Sequence, residues 1–244
     1  MERTGRALVL TLLPHGENGA VVRFLDLQDG LVAGFVHGAR SRKRRADLSP
    51  GNRVTLRLSR RAEAGLATAT LEVEESRALL AFDAAMAATL EYLVHLPALL
   101  FAEADPCPRF ASGLDDLLSI MARSDRQWPR ALAQLEGCLL DELGLGLDLG
   151  RCAVTGTAEG LAYASPRTGR AVSRAAAEGQ PWQSRLLPLP AFLVDGGTEG
   201  ALDEALALTG HFLARHAFTH APRLGALRAR ALALLPSAMH RPHP

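Results

Sequence analysis

The stretch Gly34-Phe-Val-His-Gly-Ala-Arg-Ser-Arg-Lys-Arg-Arg-Ala-Asp-Leu-Ser-Pro-Gly51 joins an apolar run to an alternating one and places five of the chain's 27 Lys and Arg residues in the six positions 40–45. Arg40, Arg42, Lys43, Arg44 and Arg45 would repel one another in a packed interior, and the stretch holds no carboxylate before Asp47, so they face water or a polyanion. From Gly34 to Arg61, with Arg53, Arg57, Arg60 and Arg61 included, nine cations stand against one anion: a local net of +8 in a chain whose net charge is +1. Such a field attracts a phosphate backbone. A solvated charge run or a localisation signal is the plainer reading of the same residues.

On either side the pattern is that of short strands. Residues 6–13, 20–27 and 31–37 are rich in Val, Leu and Phe and are separated by Pro14-His-Gly-Glu-Asn-Gly19 and Gln28-Asp-Gly30, both with turn chemistry. Past the basic stretch, Val54, Leu56 and Leu58 alternate with Arg53, Thr55, Arg57 and Ser59, which puts the arginines outside. A fifth run sets Ala67, Ala69, Leu71 and Val73 against Thr68, Thr70 and Glu72. Five strands with a long connection between the third and fourth predict a small OB barrel, a frequent oligonucleotide-binding scaffold.

Near Ser76 the period changes to that of helices. Met86, Leu90, Leu93 and Val94 form one stripe, with Pro97 expected to end it; Phe110, Leu114, Leu117, Leu118 and Met121 form the next. A third helix begins at Pro129, carries Leu132, Leu135, Leu139, Leu140 and Leu143, and ends at Gly144. Residues 62–142 hold 14 acidic and five basic side chains, a negative block beside the positive barrel. Between Gly150 and Pro190 periodicity fails among recurrent Gly and Pro, so this segment needs some device to hold it. Two more stripes close the chain, Leu202 to Leu213 after the Gly196-Gly-Thr198 turn and Leu224 to Leu235 after Pro222. The predicted class is α+β and multidomain: an OB-fold nucleic-acid-binding domain over 1–75, a helical domain over 76–149, a small loop-rich segment over 150–190 and C-terminal helices over 191–244 that pack on the helical domain.

With 244 residues and 48% hydrophobic side chains the chain can bury a substantial core. Cys107, Cys138 and Cys152 are odd in number and unpaired in spacing, which suits a reducing compartment. The opening residues carry no signal-peptide pattern, and no apolar run approaches the ~20 residues of a membrane span. The expectation is a soluble, cytoplasmic protein without a membrane contact.

Enzymatic patterns are missing. Lys43, the only lysine, lies between arginines and not in a Gly-Lys-Ser/Thr loop. His216 and His220 are spaced i, i+4 without the glutamate of a zinc-protease helix, and Phe212 and Leu213 mark their segment as core packing. Gly144-Leu-Gly146 follows a helix rather than a strand. The adjacent pairs Glu74-Glu75 and Asp115-Asp116 point to different sides of their elements and suggest no paired acid and base. A non-enzymatic binding protein without cofactor or metal is expected.

Several segments together carry a resemblance: the opening strands, Gly34 to Arg40 with its basic continuation and Leu48-Ser-Pro-Gly51, then Leu135-Glu-Gly-Cys-Leu-Leu-Asp-Glu-Leu-Gly144, Cys152-Ala-Val-Thr-Gly156, Tyr163-Ala-Ser-Pro-Arg-Thr-Gly169 and the Arg223 to Arg230 segment. In their order and spacing, over nearly the whole chain, they resemble the RecO family of recombination mediators in DNA repair. The resemblance implies an N-terminal OB fold, a helical middle domain and a segment related to a zinc finger. It implies binding of single- and double-stranded DNA, annealing of complementary strands, cooperation with RecR, and help in loading RecA onto DNA coated by single-stranded DNA-binding protein, whose C-terminal tail docks on the helical domain. A nucleoid-associated location follows from that role; a RecF-type partner is left open.

Zinc-carrying members of the family use two Cys-x-x-Cys pairs. The matching positions here are Cys152, Thr155, Ser165 and Thr168, one thiol and three hydroxyls, and hydroxyls are poor substitutes for thiolates. The segment is expected to fold without metal, with Cys152 as a small buried apolar residue. The expected DNA-binding residues are Arg40, Arg42, Lys43, Arg44, Arg45, Arg53, Arg57 and Arg60, with Arg223, Arg228 and Arg230 as the next candidates. Phe24 and Phe35, the only Phe, Tyr or Trp residues before residue 76, fit a core as readily as a base-stacking surface, so phosphate contacts are expected to dominate. Arg130, at the start of the third helix and just after Arg123 and Arg126, is the candidate for the tail of single-stranded DNA-binding protein. The alternatives are an OB-fold RNA-binding protein, for which a comparison of matched DNA and RNA strands would decide, and an adaptor whose basic stretch binds an acidic protein tail.

Overall fold

The computed structural model describes residues 2–60, 65–195 and 201–235; Arg61 and the Gly196-Gly-Thr198 turn lie outside them. Five strands, β1 (Glu2–His15), β2 (Gly19–Asp26), β3 (Gly30–Val36), β4 (Arg53–Ser59) and β5 (Ala67–Glu75), close into a barrel in the order β1-β2-β3-β5-β4, with the short helix α1 (Arg42–Asp47) between the third and fourth. This is the predicted OB-type connectivity. Closure depends on β1, whose first half pairs with β4 from Glu2↔Ser59 to Leu8↔Arg53 and whose later part pairs with β2 as far as His15↔Gly19. Residues 2–5 lack apolar alternation, and only the pairing to β4 makes them strand. Between β3 and β5 two parallel pairs, Gly34↔Ala67 and Phe35↔Thr68, complete the ring. Gly34 permits this approach, since a Cβ there would stand 2.6 Å from that of Ala69.

Alternation fills the barrel with Val9, Val22, Phe24, Val36, Val54, Leu56 and Leu71. Val73, expected inside, is 37% exposed. A register shift at Arg53/Val54 sets Arg53 opposite Glu75 and Val54 opposite Val73, so β5 carries one residue more than β4 there and the alternation slips.

Beyond the barrel a 3₁₀ turn, Ala78–Phe82, leads to α2 (Ala84–Leu100) and α3 (Pro108–Ala122). Pro97 does not end α2. Leu93, Val94, Leu96, Pro97 and Ala98 are all buried, and that packing carries the helix one turn past the missing N–H. Next come α4 (Trp128–Glu142), β6 (Leu161–Ala164), β7 (Ala171–Ser173), α5 (Arg174–Ala177), β8 (Leu187–Pro188), α6 (Phe192–Asp195), α7 (Leu202–Phe212) and α8 (Pro222–Ala233). Pro129 lies in the first turn of α4, and Gly144, at φ +70°, follows its end. In the segment without periodicity, β6, β7 and β8 form a three-stranded sheet in the order β7-β6-β8 over a small core of Cys152, Val172 and Ala177, flanked by Tyr163 and Trp182.

His216 and His220 are exposed, not core. After α7 the chain winds into a π-helical turn, Leu213–Ala217, which buries Leu213, Ala217 and Phe218 instead. Two compact units emerge: Met1–Asp125 with Arg223–Leu234, and Arg126–Pro222 with Leu235–Pro244. This grouping differs from the expected 76–149 and 191–244 domains. It places α2, α3 and α8 with the barrel, while α4 and α7 share the other unit, where the Thr209 hydroxyl donates to the buried Glu136 at 2.5 Å. No helix among the described residues is long and apolar enough to cross a membrane.

Candidate nucleic-acid interface

The basic stretch is a helix on the barrel, not an open loop. Ser41 caps it, with its Oγ accepting from the Arg44 N–H at 3.3 Å. At its other end Ala46 O accepts from the Ser49 N–H at 3.2 Å, and Asn52, fully buried, donates from Nδ2 to Ala46 O and Asp47 O, both at 3.0 Å. Ala39 and Leu48, on either side of α1, enter the barrel core. Backbone and apolar flanks are therefore fixed while Arg42, Lys43 and Arg45 stay exposed.

Arg40, Arg42, Lys43 and Arg45 are exposed and have no ion-pair partner among the described residues. Arg44 is half-buried, donating to Leu71 O at 3.3 Å and to Asp47 at 3.4 Å. An open groove of about 650 Å³ lies between α1 and strands β1, β4 and β5. Lys43, Arg44 and Arg57 line it with Thr4, Thr55 and Thr70, while Asp47 and Glu72 supply two carboxylates. Strand register sets Arg57 between Thr4 and Thr70, so a cation is flanked by two hydroxyls, a donor set that suits phosphate oxygens. Arg57 also reaches Glu2 at 3.4 Å across an exposed pair, a contact worth little in water. Arg60, exposed, ends the described part of this side.

Arg53 is committed elsewhere. It meets Asp115 at 3.0 Å, Glu75 at 2.9 Å and Glu74 at 3.5 Å. The Asp115 hydrogen bond, opposed by burial, raises its pKa. Arg77, 1% exposed, shares these partners: Nη2 donates to Asp115 at 2.6 Å, to Ser119 at 2.7 Å and to Glu75 at 3.1 Å, and its backbone N–H donates to Asn52 at 2.8 Å. The same Asn52 that closes α1 is thus tied to an ion network reaching α3. Glu74 and Glu75, expected to diverge, converge on Arg53 because of the register shift at this end of β5. Arg53 is thus held by three carboxylates, whereas Arg40, Arg42, Lys43 and Arg45 are not.

Of the other expected residues, Arg230 pairs with Glu91 of α2 at 3.0 Å, Arg223 is exposed and Arg228 half-buried. In the second unit Arg130 lies over the Phe192 ring, 5.0 Å from its centroid, and stays half-buried. Cys152 is buried in that small core, as expected, and its Sγ also accepts from Ser173 N at 3.3 Å and Ser173 Oγ at 3.5 Å. Burial pushes its pKa up, yet hydrogen bonds from Ser173 and Thr155 outweigh that and lower it to about 6. A zinc ion does not suit this donor set. The single thiol is already engaged by hydroxyl and amide donors, and among the described residues no three of His, Cys, Asp and Glu converge.

The groove threonines were invisible to pattern reading because Thr4, Thr55 and Thr70 meet only through strand pairing. Phe35, which fitted core and stacking surface equally from the sequence, lies half-buried on β3, while its neighbour Val36 enters the barrel core.

Residues 1–77 match the family model described as Recombination protein O N terminal, and residues 81–223 the one described as Recombination protein O C terminal. The chain is 46% identical over 242 residues to the DNA repair protein RecO of Paracoccus denitrificans (strain Pd 1222), covering 98% of each chain. It is 42% identical over 224 residues to that of Rhodospirillum centenum (strain ATCC 51521 / SW), covering 89% of this chain and 88% of the other. To that of Caulobacter vibrioides (strain NA1000 / CB15N) it is 40% identical over 222 residues, covering 89% and 90%.

Proposed function

Because the chain belongs to the RecO family of DNA repair proteins, we propose that it binds single- and double-stranded DNA without sequence preference through α1 and the adjoining groove, anneals complementary strands, and with RecR helps load RecA onto strands coated by single-stranded DNA-binding protein. Its place is then the cytoplasm, at the nucleoid. The observation that carries the reading is α1 with the turn before it: Arg40, Arg42, Lys43 and Arg45, four exposed cations without an ion-pair partner among the described residues, on a backbone held by Asn52, Ala39 and Leu48. Phosphate contacts by such side chains release counterions and carry no sequence information, so both strand forms are accepted. Annealing follows physically, since a ridge of positive charge lowers the repulsion between two approaching backbones and arginine's fork suits their oxygens. Arg130, held over Phe192, is the candidate for the acidic tail of single-stranded DNA-binding protein; RecR and a RecF-type protein are proposed partners without an assigned surface.

The test replaces Arg40, Arg42, Lys43 and Arg45 with alanine. If each contacts one phosphate, the salt slope on single strands falls by about 0.7 per contact, roughly 3 in all, with annealing slowed. An unchanged affinity and slope would move the site, with Arg223 and Arg228 next. For the tail, a peptide titration against Arg130→Ala should lose binding while affinity for naked strands is kept.

A further inference from the structure

Phe35 lies outside the barrel. It pairs with Val21 and Thr68, both half-exposed, whereas its neighbour Val36 is core. The ring lies against β2 at Gly19, where a Cβ would stand 2.2 Å from Cζ. Two exposed histidines flank it, His15 at the end of β1 and His37 just past β3: the His15 ring centroid is 5.9 Å away at 82° and that of His37 4.7 Å away at 86°. We infer that His15, Phe35 and His37 form a platform on which unpaired bases stack, so that a single strand is held by its bases as well as its phosphates.

Three features favour bases as the occupant. All three side chains present ring faces or edges, and every base has a π-face to offer them irrespective of sequence. The cationic stretch starts three residues after His37, so a strand with its backbone on α1 has its bases within reach of the rings. The cluster, with Phe35 on β3 against Gly19 of β2 and His15 at the β1–β2 turn, also lies on the side of an OB barrel that takes oligonucleotides. Glu17 in that turn is the one acidic side chain of the Pro14–Gly19 connection. The platform rests on the nucleic-acid reading and adds a distinction to it: phosphate contacts treat the two strand forms alike, whereas stacked bases are available only in single strands.

The experiment uses the full chain with Phe35→Leu and, separately, His37→Ala, an exposed position whose replacement should not disturb folding; His15→Ala stands in if Phe35→Leu fails to fold. Single strands carrying 2-aminopurine and the matching duplexes are titrated. Wild type should quench the fluorescence on binding. Each variant should lose about tenfold in single-strand affinity, within the range of one base stack, with the quench reduced. Duplex affinity and the single-strand salt slope should stay as in wild type. Unchanged single-strand affinity and quench in all variants would overturn the platform and leave the phosphate reading intact; so would equal losses on both strand forms, which would mark the rings as packing for the β1–β2 turn. If wild type bound neither strand form, the nucleic-acid reading would fail first and the platform with it.

Discussion

Arg77 keeps its guanidinium at 1% exposure because Asp115, Glu75 and Ser119 all accept from the same end of it. Removing one partner of a buried pair leaves a charge without compensation, so Asp115→Asn should destabilise by about 3 kcal/mol in urea unfolding. The exposed neighbour Asp116→Asn should change stability by less than about 0.5 kcal/mol. Equal effects would mean that the network is not what holds Arg77. Cys152 makes a pH-dependent contribution. Its folded pKa, lowered to about 6, lies below the roughly 8.5 of an unfolded cysteine. Stability from this group is therefore complete above the unfolded value and lost as pH falls through the folded one. Measured against Cys152→Val, the wild-type advantage should be flat below pH about 6, rise by up to about 1.4 kcal/mol per unit, and level off near pH 8.5. Parallel stability curves across that window would show that the thiol stays protonated.

At the scale of elements, α1 separates stability from function. Its exposed cations contribute charge, while Asn52 and Leu48 contribute the anchorage. The alanine variant of Arg40, Arg42, Lys43 and Arg45 should melt with wild type, because alanine favours helix and no described partner is lost. Asn52→Ala should cost about 2–3 kcal/mol, since it takes the side-chain donor from Asp47 O and the acceptor from the buried Arg77 N–H, and leaves Ala46 O with the Ser49 N–H alone. The β6–β7–β8 segment shows a different substitution. Where zinc-carrying relatives would use thiolates, Cys152 is held by Ser173 and Thr155, so metal analysis should find no stoichiometric zinc and a chelator should leave the melting temperature unchanged. One zinc per chain would refute the alignment of Cys152, Thr155, Ser165 and Thr168 with the ligand positions.

At the scale of the molecule, the chain leaves the first unit after Asp125 and re-enters it at Arg223. Leu224 and Ala231 of α8 are fully buried, and Arg230 meets Glu91 of α2. Leu224→Ala should therefore cost about 2–4 kcal/mol, with lost hydrogen-exchange protection appearing in α2 and α3 rather than in α7. Loss confined to α7 would contradict the grouping. Much of this protein was determined by its sequence alone. Apolar runs bounded by turn residues placed the first three barrel strands and period-two alternation the last two, since residues i and i+2 share a face whatever the rest of the chain does. The spacing of the Leu stripes placed α2, α3 and α4, and charge repulsion placed Arg40, Arg42, Lys43 and Arg45 outside. The tertiary structure decided what depends on partners distant in the chain. Pairing to β4 made residues 2–5 strand, burial carried α2 past Pro97, and one extra residue in β5 turned Glu74 and Glu75 onto Arg53. An arginine on the outer face of a strand looks free from local pattern, but whether it meets solvent or a carboxylate 62 residues away is settled only when Asp115 of α3 arrives beside it at 3.0 Å.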